Sequence, residues 1–174
     1  MRAFLLGIVV TLTVIVAGMV AIAELGFVNF RADIQPSEAE SKFAMSAVDA
    51  STDRHAPETK NPLELTEETV HAGAVLYRDN CSGCHGDPAN PEATLGNRFY
   101  PPAPQFFHEL HMDMMEDNQT FYIVRHGIRW TGMPGQEGVL SDTQVWQIVA
   151  FLSRMHLLPA SAQQEFKKSV PPAK

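Results

Sequence analysis

Cys81-Ser82-Gly83-Cys84-His85 is the stretch that decides how this chain folds. Two cysteines separated by two residues, with histidine immediately after, form the attachment pattern of a c-type haem. Each thiol adds across one vinyl group of the macrocycle to give a thioether. The two vinyls lie on neighbouring pyrroles along one edge, so a tight turn between the cysteines lets both reach it. His85 then falls under the iron as its proximal ligand. Ser82 and Gly83 are small and suit such a turn. The chain holds no other cysteine, so a haem that uses both leaves none for a disulfide or a cysteine-based zinc site. Two other readings compete. A thioredoxin-like Cys-x-x-Cys belongs beside a βαβ pattern, and none is visible. A zinc knuckle needs further cysteines or histidines at ligand spacing, whereas His71 lies ten positions before the motif and His108 well after it.

The N-terminus carries a membrane signal. Ala3 to Ala23 contains no charged residue and only two threonines as polar interruptions. As a helix it spans roughly 30 Å, the thickness of the hydrocarbon core. Arg2 precedes it, Glu24 follows, and the next cation is Arg31. This asymmetry favours a cytoplasmic N-terminus with the remainder exported. A cleaved signal peptide is the rival, because Ala21-Ile22-Ala23 fits a small-x-small site, but the apolar run exceeds a usual signal h-region. The expectation is therefore a single-pass anchor in a bacterial cytoplasmic (inner) membrane, with the haem domain on the periplasmic face. The net charge of −7 over 174 residues lacks the basic footprint of nucleic-acid binding. An acidic carrier favours a basic docking surface on its partner, or docks through a local patch.

Four segments follow from composition: an anchor over 1–24, a tether over 25–61, a folded domain over 62–160 and a tail over 161–174. The tether is polar and proline-bracketed; within it Ser37 to Ser51 has only a thin apolar stripe (Phe43, Ala47, Val48), and His55 is expected to be exposed. In the domain, Thr66 or Asn61 can cap a helix with an acidic first turn. Val70, Ala74 and Tyr77 form its apolar face, with Gly73 suited to a close helix crossing. Ser141 to Leu158 predicts the clearest helix, with Ser141 and Gln144 as a capping box and Val145, Ile148, Val149 and Leu152 as its stripe. A third helix is expected from about Asn118 to His126, capped by Asn118 or Asp117 and stopped by Gly127. No segment alternates as a strand, so the fold class is all-α. The long proline-punctuated loop between Gly86 and Phe107 wants an organiser, and the apolar faces of a haem would supply one.

Together these residues resemble a class I c-type cytochrome over roughly Pro62 to Pro159. Gly73-x-x-x-Tyr77-x-x-x-Cys81 is similar to that family's N-terminal helix. Trp146 to Leu152 is similar to its C-terminal helix, with Ile148 and Phe151 as the implied partners of Gly73 and Tyr77. Gly127-Ile128-Arg129-Trp130-Thr131-Gly132-Met133-Pro134 looks like the segment that delivers the sixth iron ligand. The resemblance implies crossed N- and C-terminal helices around one covalent haem c, with Cys81 and Cys84 as thioether anchors and His85 and Met133 as metal ligands. Met112, Met114 and Met115 lie in the same interval, but only Met133 has the Gly-Met-Pro setting. A thioether is a soft, neutral donor that favours Fe(II). His85 should donate its second ring N–H to a loop carbonyl, for which Pro101 or Pro102 is the nearest match. Pro102, Arg129 and Trp130 are candidate pocket residues, and Tyr100 and Arg125 are further candidates for propionate contacts. Arg125 and Arg129 could equally be surface charges near a helix C-terminus.

His108, His111, Met112 and Met115 would share one helical face and could make an imidazole–thioether copper set, though a polar connector with incidental methionines is the plainer account. The functional expectation is a one-electron carrier, not an enzyme. Its partners are a redox donor and acceptor, free or within a respiratory or dehydrogenase complex. The alternative is an open-site haem enzyme or gas sensor, which needs a vacant sixth position.

Overall fold

The computed structural model describes residues 1–107 and 115–168, the side chains of Lys167 and Lys168 excepted. His108, His111, Met112 and Met114 lie outside the described residues, as do 169–174. The chain divides into two units, 1–31 and 32–174. The first is one helix, α1 (Arg2–Glu24), with mean hydropathy 2.7 over its most apolar window and length enough to cross a membrane. The hydroxyls of Thr11 and Thr13 donate to Gly7 O and Val9 O, both at 2.9 Å. The two polar groups are thus satisfied inside the helix, as a hydrocarbon surrounding requires.

The second unit is helical: α2 (Glu38–His55), α3 (Glu67–Asn80), α4 (Ser82–His85), α5 (Asp117–His126), α6 (Asp142–Leu152) and α7 (Ala160–Lys168), with 3₁₀ turns at Gly96–Arg98 and Met155–Leu157. Among the described residues there is no strand; two isolated bridges pair Gly127 with Pro134 and Glu137 with Leu140. Thr66 caps α3, its Oγ1 accepting from Thr69 N–H at 3.1 Å. Asn61 is not a cap; its side-chain amide donates to Trp146 O at 3.0 Å, which ties the entrance of α3 to α6. Ser141 and Gln144 close the capping box on α6.

The crossing of α3 on α6 organises the unit, and Gly73 permits it. A Cβ at this position would lie 2.0 Å from Gln147 O and 2.9 Å from Phe151 Cβ. Because the obstacle is backbone, no rotamer change relieves it; the helices must separate. Gly73→Ala should therefore destabilise the protein by about 3 kcal/mol, the upper part of the usual overpacking cost, despite alanine's better helix propensity. Urea denaturation of the detergent-solubilised chain, followed by circular dichroism, measures this; unchanged stability would refute the crossing.

Two clusters of buried side chains flank that crossing. One joins Val70, Ala74, Tyr77, Ile148, Phe151, Leu152, Met155, Ala162 and Phe166. The other joins Phe121, Val124, Val145, Trp146 and Val149, with the Phe121 and Trp146 rings stacked at 4.2 Å.

Four expectations are corrected. First, α6 ends at Leu152, not Leu158; the 3₁₀ turn that follows buries Met155 and turns the chain so that α7 can pack back on α3. Second, α5 is capped by Glu116, whose side chain accepts from the Gln119 backbone while Gln119 Oε1 accepts from Glu116 N–H at 3.0 Å. Third, the helix in the expected tether is docked on α5. Asn118 donates to Pro57 O at 2.9 Å, Gln119 to Asp53, and Tyr100 OH to Glu40. His55 is exposed as expected, yet its ring lies along Tyr122. Polar contacts hold α2 where its thin apolar stripe could not; Phe43 is 79% exposed. Fourth, the tail joins the core through Ala162 and Phe166. Buried Glu165 accepts from Arg78 Nη1 at 2.6 Å and lies 3.2 Å from His71 Nε2.

Candidate functional site

The Cys-x-x-Cys-His turn is a direct outgrowth of α3. Cys81 N–H donates to Tyr77 O at 2.8 Å, and Cys84 and His85 N–H both reach Cys81 O at 3.0 Å. The turn α4 therefore inherits the orientation that the Gly73 crossing gives α3. Tyr77 locks its far end: the buried phenol donates to Gly86 O at 2.8 Å. Burial above all, then the nearby Cys81, Asp87 and Cys84, push that phenol well above its ordinary pKa, so it remains a donor. Gly86 has φ +73° and faces Pro91 O so closely that a Cβ would sit 2.4 Å away; only glycine turns the chain there.

Cys81 and Cys84 are half-buried and unpaired with each other. Burial first, and Cys84 second, push the Cys81 thiol up to about 12. A thiol oxidoreductase needs the opposite, a depressed pKa that yields thiolate.

His85 is held on two sides. Its Nδ1 lies 2.9 Å from Pro104 O. A carbonyl only accepts, so Nδ1 carries the proton and Nε2 keeps a lone pair. Burial lowers the imidazole pKa, against a smaller opposing effect of the Pro104 bond, so the ring is neutral, as a metal ligand must be. Phe106 stacks on the ring at 4.7 Å, nearly parallel at 3°, and its backbone N–H returns to His85 O at 3.2 Å. The carbonyl on His85 thus belongs to Pro104; Pro101 and Pro102 are corrected as its acceptors. Pro102 is half-buried.

The loop from Gly127 to Gly135 presents Met133. Gly127 has φ +70°, and a Cβ on it would meet Met133 O at 2.6 Å. Ile128 N–H closes the loop on Met133 O at 3.2 Å. Thr131 Oγ1 donates to Ile128 O at 2.8 Å and accepts from Met133 N–H at 3.1 Å. Gly132 lies flat against the Phe99 ring. Met133 is half-buried against the second cluster, whereas Cys81 packs beside the first; motif and distal loop thus rest on the two sides of the crossing.

Of the candidate pocket residues, Arg129 is exposed and Trp130 is 90% exposed, at φ +62°. Tyr100 is engaged with Glu40. Arg125 is committed elsewhere: Nη2 bonds Glu137 at 2.9 Å, and Nε lies 3.3 Å from Asp142 Oδ1, near enough to pair but not aligned as a hydrogen bond. Sequence alone missed Pro104, Phe106 and Gln105, the last of which bonds the motif directly. A proline-rich loop offers several equivalent carbonyls, and nothing in the sequence ranks them.

The donor set fits a haem. Two thiols stand one turn apart beside a neutral imidazole whose Nε2 lone pair is free of the Pro104 bond, and a thioether stands on a stiff loop. Half-buried Phe99, Phe106 and Ile128, with exposed Leu95 and Trp130, supply apolar surface of the kind a porphyrin would cover.

An N-terminal helix that runs into a Cys-x-x-Cys-His turn and crosses a C-terminal helix, with no strand among the described residues, defines a class I c-type cytochrome domain, here behind one N-terminal apolar helix. Residues 68–152, from the first turn of α3 to the end of α6, match the family described as cytochrome C oxidase, cbb3-type, subunit III. No curated protein matches the chain. The domain is thus a haem-binding electron-transfer module. The matched span leaves out both α2 and α7.

Proposed function

We propose that this protein is a membrane-tethered monohaem cytochrome that passes single electrons between redox partners through a His/Met-ligated haem c. The observation that carries the proposal is the His85 imidazole, held neutral with Nδ1 donating to Pro104 O directly after the two cysteines. A ligating histidine almost always spends its second N–H this way. Bound haem would supply a one-electron iron couple. Cys81 and Cys84 would hold it covalently, and His85 Nε2 and the Met133 thioether would ligate its iron. A metal held by two protein ligands would leave no place for a substrate, which supports a carrier role over an enzyme or gas sensor.

α1 would anchor the chain once in a bacterial inner membrane, Arg2 on the cytoplasmic side and the haem domain on the periplasmic face. The haem-bearing part would be 62–160, braced by α2 before it and α7 after it. The matching family's description is that of an oxidase subunit, which supports a place in a respiratory complex, relaying electrons toward a terminal acceptor.

Purification from membranes in mild detergent tests this. The expected result is a red protein whose haem survives denaturing electrophoresis, with a far-red Met–Fe(III) band and slow, weak carbon monoxide binding when reduced. Rapid carbon monoxide binding in the reduced form would establish an open-site haem and overturn the carrier reading.

A further inference from the structure

Gln105 follows Pro104, and its side chain turns back into the site. Its amide nitrogen donates to Cys84 O at 2.9 Å and to Ala103 O at 2.8 Å. Its amide oxygen accepts from Ala93 N–H at 2.6 Å. One half-buried side chain thus joins the haem motif, the start of the following loop and the segment that carries Pro104. Gly96 makes room for it: a Cβ there would lie 1.8 Å from Cys84 O and 2.9 Å from Gln105 Nε2. On either side of Pro104 the backbone is also tied, Ala103 N–H to Gly96 O at 2.9 Å and Phe106 N–H to His85 O at 3.2 Å.

We propose that Gln105 is a positioning residue that holds the Pro104 carbonyl on His85 Nδ1 and so sets how strongly the imidazole donates to iron. Proline cannot do this alone. Its ring fixes φ but not the placement of its carbonyl relative to a helix turn on another segment. The Gln105 amide measures that placement, because its nitrogen bonds both the residue before His85 and the residue before Pro104, while its oxygen is held by Ala93 N–H. A carbonyl accepting from Nδ1–H raises ligand basicity, and outer-shell partners of this kind alter metal affinity by about 10–100-fold. A more basic imidazole favours Fe(III) over Fe(II). Each tenfold difference between the two states is worth ~59 mV in a one-electron couple.

The proposal rests on His85 being the proximal ligand, as proposed above, and the test separates the two. Gln105→Met keeps the side-chain length and removes the donors and the acceptor. Expected in the holoprotein are covalent haem and the Met–Fe(III) band retained, a higher midpoint potential, and His85 Nδ1–H exchange with solvent about tenfold faster in the reduced, diamagnetic state. Unchanged potential and exchange would overturn the role of Gln105 while leaving His85 as ligand. A His85→Gly chain that keeps the wild-type haem spectrum would instead overturn the ligation itself. If Gln105→Met fails to fold, wild-type NMR decides: the Gln105 side-chain NH₂ must be protected from exchange, and rapid exchange refutes the clamp.

Discussion

A chain with both Cys81 and Cys84 changed to serine should accumulate without covalent haem. After denaturing electrophoresis, haem-dependent peroxidase staining should fall from the wild-type level to background. Serine preserves the size and polarity of the turn, but its hydroxyl does not add to a vinyl group under conditions where a thiol does. The geometry makes the loss specific to chemistry. The turn α4 is formed by backbone bonds from Cys84 and His85 to Cys81 O and by Tyr77 OH to Gly86 O, none of which needs sulfur. The single variants should each keep one thioether and stain at reduced intensity. Persisting stain in the double variant would refute attachment through these residues, since the chain has no other cysteine. The double variant should also lose protease resistance around 86–107, the proline-punctuated loop that a bound haem would cover.

The parts of this fold that could be read from the sequence are those where local signals and tertiary demand agree. α3 and α6 have polar caps, apolar periodicity and a glycine at their crossing, and all three point the same way. Met133 stood out among eight methionines because its neighbours restrict the backbone. Other features were hidden for physical reasons. Among its described side chains α7 presents Ala162 and Phe166 to the apolar core, too few for a periodic signal, and its burial depends on the turn after Leu152. α2 is fastened by amide, carboxylate and hydroxyl contacts whose partners lie roughly sixty residues away in sequence, so no pattern within the helix announces them. The Pro104 carbonyl was missed in favour of Pro101 or Pro102 because prolines in one loop look alike until the contacts of the adjacent Gln105 with the remote Cys84 and Ala93 distinguish them. At the site, then, Cys81, Cys84, His85 and Met133 could be singled out as candidates, and the groups that orient them could not.

With Met133 as the proposed sixth ligand, Met133→Ala should leave an open haem and lower its reduction potential. The thioether is soft and neutral, so it binds Fe(II) more tightly than Fe(III). If that preference is about a hundredfold, its removal lowers the potential by roughly 120 mV. The far-red band should vanish and carbon monoxide should bind the reduced form rapidly. Alanine fits the loop without disturbing it. Met133 contributes its backbone to the bonds that shape the loop, N–H to Thr131 Oγ1 and O from Ile128 N–H, and alanine retains both. Some stability should be lost where the side chain leaves Phe121, Val145 and their neighbours, about 2 kcal/mol for a half-buried methionine, but a packing loss alone does not open iron to a gas. Met112→Ala and Met115→Ala are the controls, since either residue lies in the right interval for a ligand. They should leave the band, the potential and carbon monoxide binding unchanged. A Met115→Ala or Met112→Ala chain that loses the band while Met133→Ala keeps it would transfer the ligand role to that residue, and the loop from Gly127 to Gly135 would then be a packing element alone.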